Sequence, residues 1–257
     1  MHIHPVPAFS DNYLWVLHEN RHAVVVDPGD ARPVIDYLAA NDLTLAAILC
    51  THHHADHVGG VESLLGFLDL HGKIPVYGPA GESIPARTHA MRDGDLVALP
   101  ELAMTLAVLD VPGHTAGHIA YLGHDLLFCG DTLFACGCGR LLGGTAVQMT
   151  ATLSRLRALP PQTRVFCAHE YTMANIRFAE AVEPGNADLK LRKAFCAAKR
   201  HRNEPTVPST IGLEVATNPF LRWDAPDVAQ AARAHAGKSL AAPDAIFAEL
   251  REWKNNF

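Results

Sequence analysis

The sequence predicts an α/β protein, with a layered body of strands and helices followed by a helical C-terminal portion. Short apolar runs separated by turn residues occupy roughly the first two-thirds of the 257 residues. Segments with apolar residues three or four positions apart lie between these runs. From about residue 171 onward only the helical spacing continues. Strands interleaved with helices are typical of layered α/β folds.

Each element follows from its local pattern. The apolar runs predict strands at 13–17, 23–27, 45–50, 105–111, 126–129 and 165–168. Helical spacing predicts helices at 33–40, 60–71, 148–159, 190–202, 225–236 and 244–254. We expect two domains, 1–170 and 171–257. The helix at 190–202 carries a basic run that we expect to be an exposed face, formed by Lys190, Arg192, Lys193, Lys199, Arg200 and Arg202.

The composition is that of an ordinary soluble globular protein, with 49% hydrophobic and 19% charged residues. A formal net charge of −6 disfavours broad attraction to nucleic acid or to anionic lipid. The N-terminal residues lack a basic segment followed by an apolar one, and no apolar run is long enough to span a bilayer. We therefore expect a cytoplasmic protein, monomeric by default, that acts on a small molecule.

The six cysteines include no Cys-x-x-Cys pair and mostly lie inside apolar runs. Buried, reduced thiols in a reducing cytoplasm explain this distribution. The pair in Cys136-Gly137-Cys138 could offer two sulfur ligands to a metal, but an incidental pair in a glycine-rich turn is the simpler interpretation.

The segment Thr51-His52-His53-His54-Ala55-Asp56-His57 follows an apolar run directly. It concentrates imidazoles and a carboxylate, which are ligands for zinc, iron or manganese. Several such groups at the end of a buried strand are costly to desolvate unless they bind something. A metal site is therefore favoured over the alternative, a solvated histidine-rich loop.

Three further polar residues follow predicted strands in the same way. His114 comes after the run that ends at 111, Asp131 after the run that ends at 129, and His169 after the run that ends at 168. Each taken alone could be structural, since Gly-Asp-Thr is ordinary turn chemistry and a single histidine is often only hydrogen-bonded. Together they indicate that strand ends converge on one edge of a sheet, where sites form.

These motifs resemble the metallo-β-lactamase superfamily, whose signature Thr-His-x-His-x-Asp-His matches residues 51–57. The stretches Ser10-Asp11-Asn12-Tyr13, Asp27-Pro28-Gly29, Thr217-Asn218-Pro219-Phe220 and Arg251-x-x-Lys254 are similar to the glyoxalase II branch. The resemblance covers essentially the whole chain. It implies a four-layer αββα sandwich as the catalytic domain (1–170) and a helical substrate-binding domain (171–257).

The resemblance also implies a binuclear metal centre, in keeping with a donor set too large for one tetrahedral ion. One ion would be held by His52, His54 and His114, and the second by Asp56, His57 and His169. Asp131 would bridge the two. Zinc is the expected metal, with iron or manganese as alternatives. Asp56 and Asp131 would be the catalytic residues, and a metal-bound hydroxide would be the nucleophile.

The reaction implied is hydrolysis of S-D-lactoylglutathione and related 2-hydroxyacyl thioesters, the second step of methylglyoxal detoxification. Arg140, Tyr171, Arg251 and Lys254 match the positions that contact glutathione in the family. Arg140 stands where the family often has lysine, which keeps the charge. Leu142 stands where it often has tyrosine, and this loses a hydrogen bond worth about 0.5–1.5 kcal/mol.

Three alternative functions differ from this interpretation. A glutathione persulfide dioxygenase of the same superfamily would use one iron, but that branch lacks the helical tail with Arg251 and Lys254. The second alternative is a lactamase or another hydrolase of the superfamily, such as an RNA-processing or lactone-opening enzyme. Lactamases usually replace one of these ligands and are exported, whereas we expect no signal peptide here. A metal-binding regulatory protein without turnover would have little use for so complete a ligand set.

Overall fold

Six strands form a mixed sheet in the computed structural model, which describes residues 1–257. The first three strands pair antiparallel, and the last four run parallel to one another. The strands, in their order across the sheet, are β1 (His2–Ala8), β2 (Asn12–Glu19), β3 (His22–Val26), β4 (Thr44–Leu49), β5 (Val76–Pro79) and β6 (His89–Met91).

Four further strands form an antiparallel array by successive pairing. They are β7 (Leu96–Leu99), β8 (Met104–Asp110), β9 (Ile119–Gly123) and β10 (Leu126–Gly130), with a 3₁₀ turn at Pro100–Leu102 after β7. Because β8 and β10 each run antiparallel to β9, they point in the same direction. The residues that follow them therefore start from the same edge of the array.

Three helices complete this part of the chain: α1 (Ala31–Ala40), α2 (Ala55–Val58) and α3 (Val61–Phe67). The Asp30 side chain caps α1 by accepting from the Arg32 N–H at 2.9 Å. Apolar residues of α1 and α3, such as Val34 and Leu64, form one core with Val25 and Ile48 of the sheet. The neighbours Val24 and Leu49 are fully buried too, so both faces of these strands are covered, as near-continuous apolar runs indicate.

Residues Met1–Val111 and Gly117–Gly130 make up one compact unit, and Pro112–Ala116 with Asp131–Phe257 make up a second. The second unit contains the strand pairs β11 (Leu133–Phe134) with β12 (Gly137–Cys138), and β13 (Arg164–Cys167) with β14 (Ser209–Thr210). Its helices are α4 (Ala146–Arg157), α5 (Thr172–Val182), α6 (Ala187–His201), α7 (Ile211–Thr217), α8 (Pro226–Ala236) and α9 (Pro243–Asn255), with a 3₁₀ turn at Pro219–Leu221.

A buried ion pair lies inside the second unit. The guanidinium of Arg192 on α6 pairs with the carboxylate of Glu214 on α7, and it also donates to Ser209 and Thr217. Burial opposes its charge, but the Glu214 carboxylate keeps the pKa of Arg192 above its usual value. The prediction that the basic run of this helix is wholly exposed is therefore wrong at Arg192, which points inward to a carboxylate.

Every strand and helix predicted from the sequence exists. The helix predicted at 60–71 ends earlier, at Phe67, because Asp69 and Gly72 adopt positive φ angles of 54° and 68°. The prediction that no strand follows residue 171 is wrong at β14, a two-residue strand. All six cysteines are buried free thiols. No helix has the length and apolar character needed to cross a membrane.

Candidate metal centre

The histidine-rich segment leaves the end of β4 and turns into α2. The rings of His52 and His57 are fully buried, with centroids 4.0 Å apart. Nε2 of His52 lies 3.0 Å from Nδ1 of His54, and Nε2 of His57 lies 3.5 Å from Oδ2 of Asp56. The four predicted ligands of this segment are thus brought together, with ring nitrogens and a carboxylate oxygen at short range.

Asp27, directly after β3, fixes the orientation of this segment. Its Oδ1 accepts from the Thr51 N–H at 2.7 Å, and its Oδ2 accepts from the Thr51 hydroxyl at 2.7 Å. Oδ2 also lies 3.1 Å from Nδ1 of His57. A carboxylate on Nδ1 leaves Nε2 of the ring to face a metal and makes it more basic.

Asn12 performs a similar task for Asp56. The Asn12 side chain is buried, and its amide donates to Oδ2 of Asp56 at 3.1 Å. This hydrogen bond holds one carboxylate oxygen in place. The sequence marks Asn12 only as part of the motif Ser10-Asp11-Asn12-Tyr13, and this individual role is visible only in the structure.

Glu82 was missed altogether. Its Oε2 accepts from the His53 N–H at 2.7 Å and lies 2.7 Å from the ring Nδ1 of His53. Its Oε1 accepts from the Gly117 N–H at 3.0 Å. One buried carboxylate therefore links the histidine segment to Gly117, within the first unit. Glu82 follows β5 by three residues, but this four-residue strand, Val-Tyr-Gly-Pro, is too short an apolar run to be predicted from the sequence.

In the second unit, Asp131 lies between two of the predicted ligands. Its Oδ2 is 3.5 Å from Nε2 of His114, and its Oδ1 is 3.3 Å from Nε2 of His169. All three side chains are buried. A buried carboxylate with an imidazole at each oxygen has the donor arrangement expected of a group that two cations share.

The segment 138–142 packs tightly against these ligands. The Arg140 carbonyl accepts from Nδ1 of His114 at 2.8 Å, and the Leu142 N–H donates to the His114 carbonyl at 2.8 Å. A Cβ atom on Gly139 would lie only 2.0 Å from the carbonyl oxygen of Asp131. Glycine at 139 is therefore required by the close approach of this segment to the ligand backbone.

The donor chemistry of these side chains suits a divalent metal. Imidazole nitrogens and carboxylate oxygens are the groups that zinc, iron and manganese accept in proteins. The second nitrogens of His57 and His114 already have oxygen partners, Asp27 and the Arg140 carbonyl. Such partners set the tautomer of a ligating histidine.

The predicted substrate contacts lie on the loop after β12, at the start of α5 and on α9. Arg140 and Tyr171 are both exposed, and the Tyr171 ring is stacked on the His169 ring with their centroids 4.7 Å apart. Lys254 is partly buried, with its ammonium 5.2 Å from the centre of the Phe178 ring. Burial and the neighbouring charge of Arg251 lower the pKa of Lys254 to about 8.

A groove of about 820 Å³ lies in the second unit. Its polar lining includes three cations and two carboxylates, and its apolar lining comes mainly from leucine and alanine. The lining residues are Arg140, Leu141, Leu142, Lys238, Leu240, Ala245, Ala248, Glu249, Arg251, Glu252 and Asn255.

Two family models match the chain and together cover nearly all of it. Residues 8–169 match the metallo-β-lactamase superfamily, and residues 170–257 match the C-terminus of hydroxyacylglutathione hydrolase. A protein named hydroxyacylglutathione hydrolase from Nitrosomonas eutropha is 52% identical over 255 residues, which covers 99% of this chain and 98% of the relative. One of the same name from Cupriavidus taiwanensis is 56% identical over 265 residues, again covering 99% and 98%.

Solved structures show the same fold. The crystal structure of ETHE1 from Myxococcus xanthus matches with a TM-score of 0.68 at 26% identity, covering 98% of this chain and 90% of that one. The crystal structure of TTHA1623 in a di-iron-bound form matches with a TM-score of 0.58 at 27% identity, covering 86% of this chain and 100% of that one. The metallo-β-lactamase fold class predicted from the sequence is therefore confirmed.

Proposed function

The chain belongs to the hydroxyacylglutathione hydrolase (glyoxalase II) family of the metallo-β-lactamase superfamily, and we infer from this that it hydrolyses S-D-lactoylglutathione and other S-2-hydroxyacylglutathione thioesters to glutathione and a 2-hydroxy acid. One observation carries the inference. The match to the C-terminus of hydroxyacylglutathione hydrolase spans residues 170–257, which include α9 with Arg251 and Lys254. The N-terminal match, by contrast, is to the metallo-β-lactamase superfamily as a whole.

The fold and the donor set fit divalent metal ions. We propose two ions per chain, with zinc as the metal and iron or manganese as alternatives. One ion would be held by His52, His54 and His114, and the other by Asp56, His57 and His169. Asp131 would bind both ions. Bound divalent ions supply a Lewis acid for the thioester carbonyl and lower the pKa of water.

The chain's own residues orient these ligands. Asp27 holds the His57 ring through Nδ1, and Asn12 holds the Asp56 carboxylate through one oxygen. The Arg140 carbonyl holds His114. The position of Asp131 supports a bridging role, because one of its oxygens lies near the His114 ring and the other near the His169 ring. Each contact fixes a donor in place before substrate arrives, which is the preorganisation that electrostatic catalysis requires.

Substrate binding is assigned to cations, because glutathione carries two carboxylates. Arg140 and Arg251 line the groove, and Lys254 lies one helical turn after Arg251 on α9. Tyr171 offers a hydroxyl beside His169. The leaving group is a thiolate whose conjugate acid has a pKa near 8.5, so the reaction has little need of a dedicated general acid. No serine or cysteine nucleophile is assigned.

The glutathione persulfide dioxygenase considered from the sequence is not favoured, since the relatives matched over the full chain are named hydroxyacylglutathione hydrolase. We also propose the functional division 1–170 for catalysis and 171–257 for substrate binding, which falls where the two family models meet. Six free buried thiols support a reducing, cytoplasmic setting. We take the monomer as the working form.

The test pairs metal analysis of the purified full-length protein with S-D-lactoylglutathione hydrolysis, followed by the loss of thioester absorbance. About two metal equivalents per chain and multiple turnovers are expected. A thioester lacking the glutathione carboxylates, assayed in parallel, should be a much poorer substrate. One iron per chain with oxygen uptake on glutathione persulfide and no thioester hydrolysis would overturn the proposal in favour of the dioxygenase.

A further inference from the structure

Arg251 is buried far more deeply than a surface substrate contact requires. Only 4% of the residue is exposed. Its Nη1 donates to the Cys138 carbonyl at 2.9 Å, and its Nε donates to Oδ1 of Asn255 at 3.1 Å. The guanidinium carbon also lies 5.1 Å from the centre of the Phe220 ring. Much of the guanidinium is therefore engaged by the protein itself.

The Cys138 carbonyl, which accepts from Arg251, lies two residues before the Arg140 carbonyl, which contacts the proposed metal ligand His114. The Arg140 carbonyl accepts from Nδ1 of His114 at 2.8 Å. This hydrogen bond keeps the proton on Nδ1 and turns Nε2 toward Asp131, at 3.5 Å from Oδ2. The orientation of His114 thus depends on where the main chain of Arg140 lies.

The short segment between these two carbonyls has little freedom to move. Gly139 lies so close to its surroundings that an added Cβ would be 2.0 Å from the Asp131 carbonyl oxygen and 3.0 Å from Nδ1 of His114. The Gly139 N–H donates to the Thr132 carbonyl at 3.2 Å. A shift of Cys138 is therefore passed to Arg140 and to the ligands instead of being absorbed between them.

We propose that Arg251 is a positioning residue for the metal ligand His114, acting through the main chain of Cys138-Gly139-Arg140, so that the helix with the proposed substrate cations also sets metal affinity. Loss of the guanidinium leaves the Cys138 carbonyl without its donor and loosens the segment. The Arg140 carbonyl then holds His114 less well, and the imidazole binds its ion more weakly. The inference rests on the proposed metal centre.

The test measures zinc affinity by chelator competition on full-length protein, stripped of metal and reconstituted, for Arg251→Met, Arg251→Lys and Lys254→Met. Loss of a partner that orients a ligating histidine weakens metal binding about 10- to 100-fold. Arg251 does not contact His114 directly but acts through the main chain. Arg251→Met should therefore lower the affinity for one of the two zinc ions by about tenfold. Arg251→Lys, which keeps a donor, should recover part of the loss.

Lys254→Met is the matched control, since it removes a cation from the same helix and leaves the Cys138 contact intact. It should raise KM and leave both zinc affinities unchanged. Wild-type zinc affinities in Arg251→Met, together with a raised KM, would overturn the proposal and leave Arg251 as a substrate contact alone. Absence of zinc binding by the wild-type protein would instead overturn the proposed function.

A second variant keeps the test decisive if Arg251→Met does not fold. Asn255→Leu removes only the acceptor of the Arg251 Nε–H and should weaken the same zinc equivalent by a smaller factor. In the zinc-loaded protein, the His114 Nδ1–H proton should also exchange faster with solvent in either variant. Unchanged affinity and unchanged exchange in Asn255→Leu would count against the proposal.

Discussion

Oδ1 of Asp131 lies 3.3 Å from Nε2 of His169. The other carboxylate oxygen, Oδ2, lies 3.5 Å from Nε2 of His114. Asp131 therefore directs each of its two oxygens to a different imidazole. An arrangement of this kind lets one side chain serve two cations, and it gives the bridging assignment a direct test.

We expect Asp131→Ala to bind fewer than two metal equivalents and to lose at least about 10²-fold in kcat/KM, since loss of a ligand should cost no less than loss of an orienting partner. Metal analysis after gel filtration and thioester hydrolysis measure both effects. Full occupancy with normal turnover would exclude a bridging role. Asp125→Ala, at a turn between β9 and β10, is the control and should retain both metals.

Asp27→Ala should weaken metal binding about 10- to 100-fold, because Asp27 orients His57 through its Nδ1. It should also destabilise the protein, since the Thr51 N–H and hydroxyl lose their acceptor in a buried position. Chelator competition and thermal unfolding report the two effects. Asp36→Ala, which removes the exposed partner of Arg32 on α1, should weaken neither.

Lys254 should make substrate binding depend on pH, because its pKa is lowered from 10.5 to about 8, chiefly by burial. The ammonium form binds a carboxylate, so KM should rise as the pH increases through about 8 and approach the KM of Lys254→Met. A charge-assisted hydrogen bond of about 1.5–3 kcal/mol corresponds to a rise of roughly tenfold or more. The same alkaline rise in Lys254→Met would refute this assignment.

The lowered pKa of Lys254 should also make the free energy of unfolding rise with pH. The unfolded chain binds a proton at Lys254 between about pH 8 and pH 10.5, and the folded chain does not. Stability therefore rises with pH where the unfolded state binds more protons. Chemical denaturation across this pH range should show the Lys254-dependent rise in the free energy of unfolding for the wild-type protein and its absence for Lys254→Met.

Gly139→Ala should destabilise the protein and reduce metal content, because the new Cβ would lie 2.0 Å from the Asp131 carbonyl oxygen. Inserting a methyl group into a packed site costs about 1–3 kcal/mol. Gly185→Ala is the matched control, since a Cβ there meets no atom within 4 Å. Equal melting temperatures for the two variants would contradict the close approach at 139.

Glu214→Gln should lower the free energy of unfolding by about 3–5 kcal/mol, because it leaves the buried Arg192 guanidinium without its counter-ion. Glu180→Gln removes the partner of Lys193 in a pair that is partly exposed to solvent. That change should cost no more than about 1 kcal/mol. Urea denaturation of both variants measures the difference directly.

The sequence predicted the strands that carry strong apolar runs, and it placed the candidate ligands at their ends. Runs such as 45–50 and 126–129 are buried on both faces, so their composition alone identifies them as strands. The short strands β11, β12 and β14 have two residues each and no run to detect. They exist because of the surrounding packing, which a local pattern does not encode.

The residues that orient the candidate ligands are harder to predict for the same reason. Asp27 follows β3 directly, so the strand-end rule that found Asp131 could have found it too. Glu82 and Asn12 act across 29 and 44 positions of sequence, on His53 and Asp56. The burial of Arg192 depends on a carboxylate 22 positions later. Such pairings arise only when distant segments meet.

The burial of the cysteine thiols matters because the proposed reaction releases another thiol, glutathione. Each turnover releases a thiol, and thiolates exchange with disulfides and accept acyl groups. Burial raises the pKa of Cys138, and it raises the pKa values of Cys136 and Cys167 to about 12. A protonated, enclosed sulfur neither attacks the substrate nor forms mixed disulfides at an appreciable rate. These cysteines are therefore protected from covalent modification by the thioester substrate and by disulfides of the thiol product.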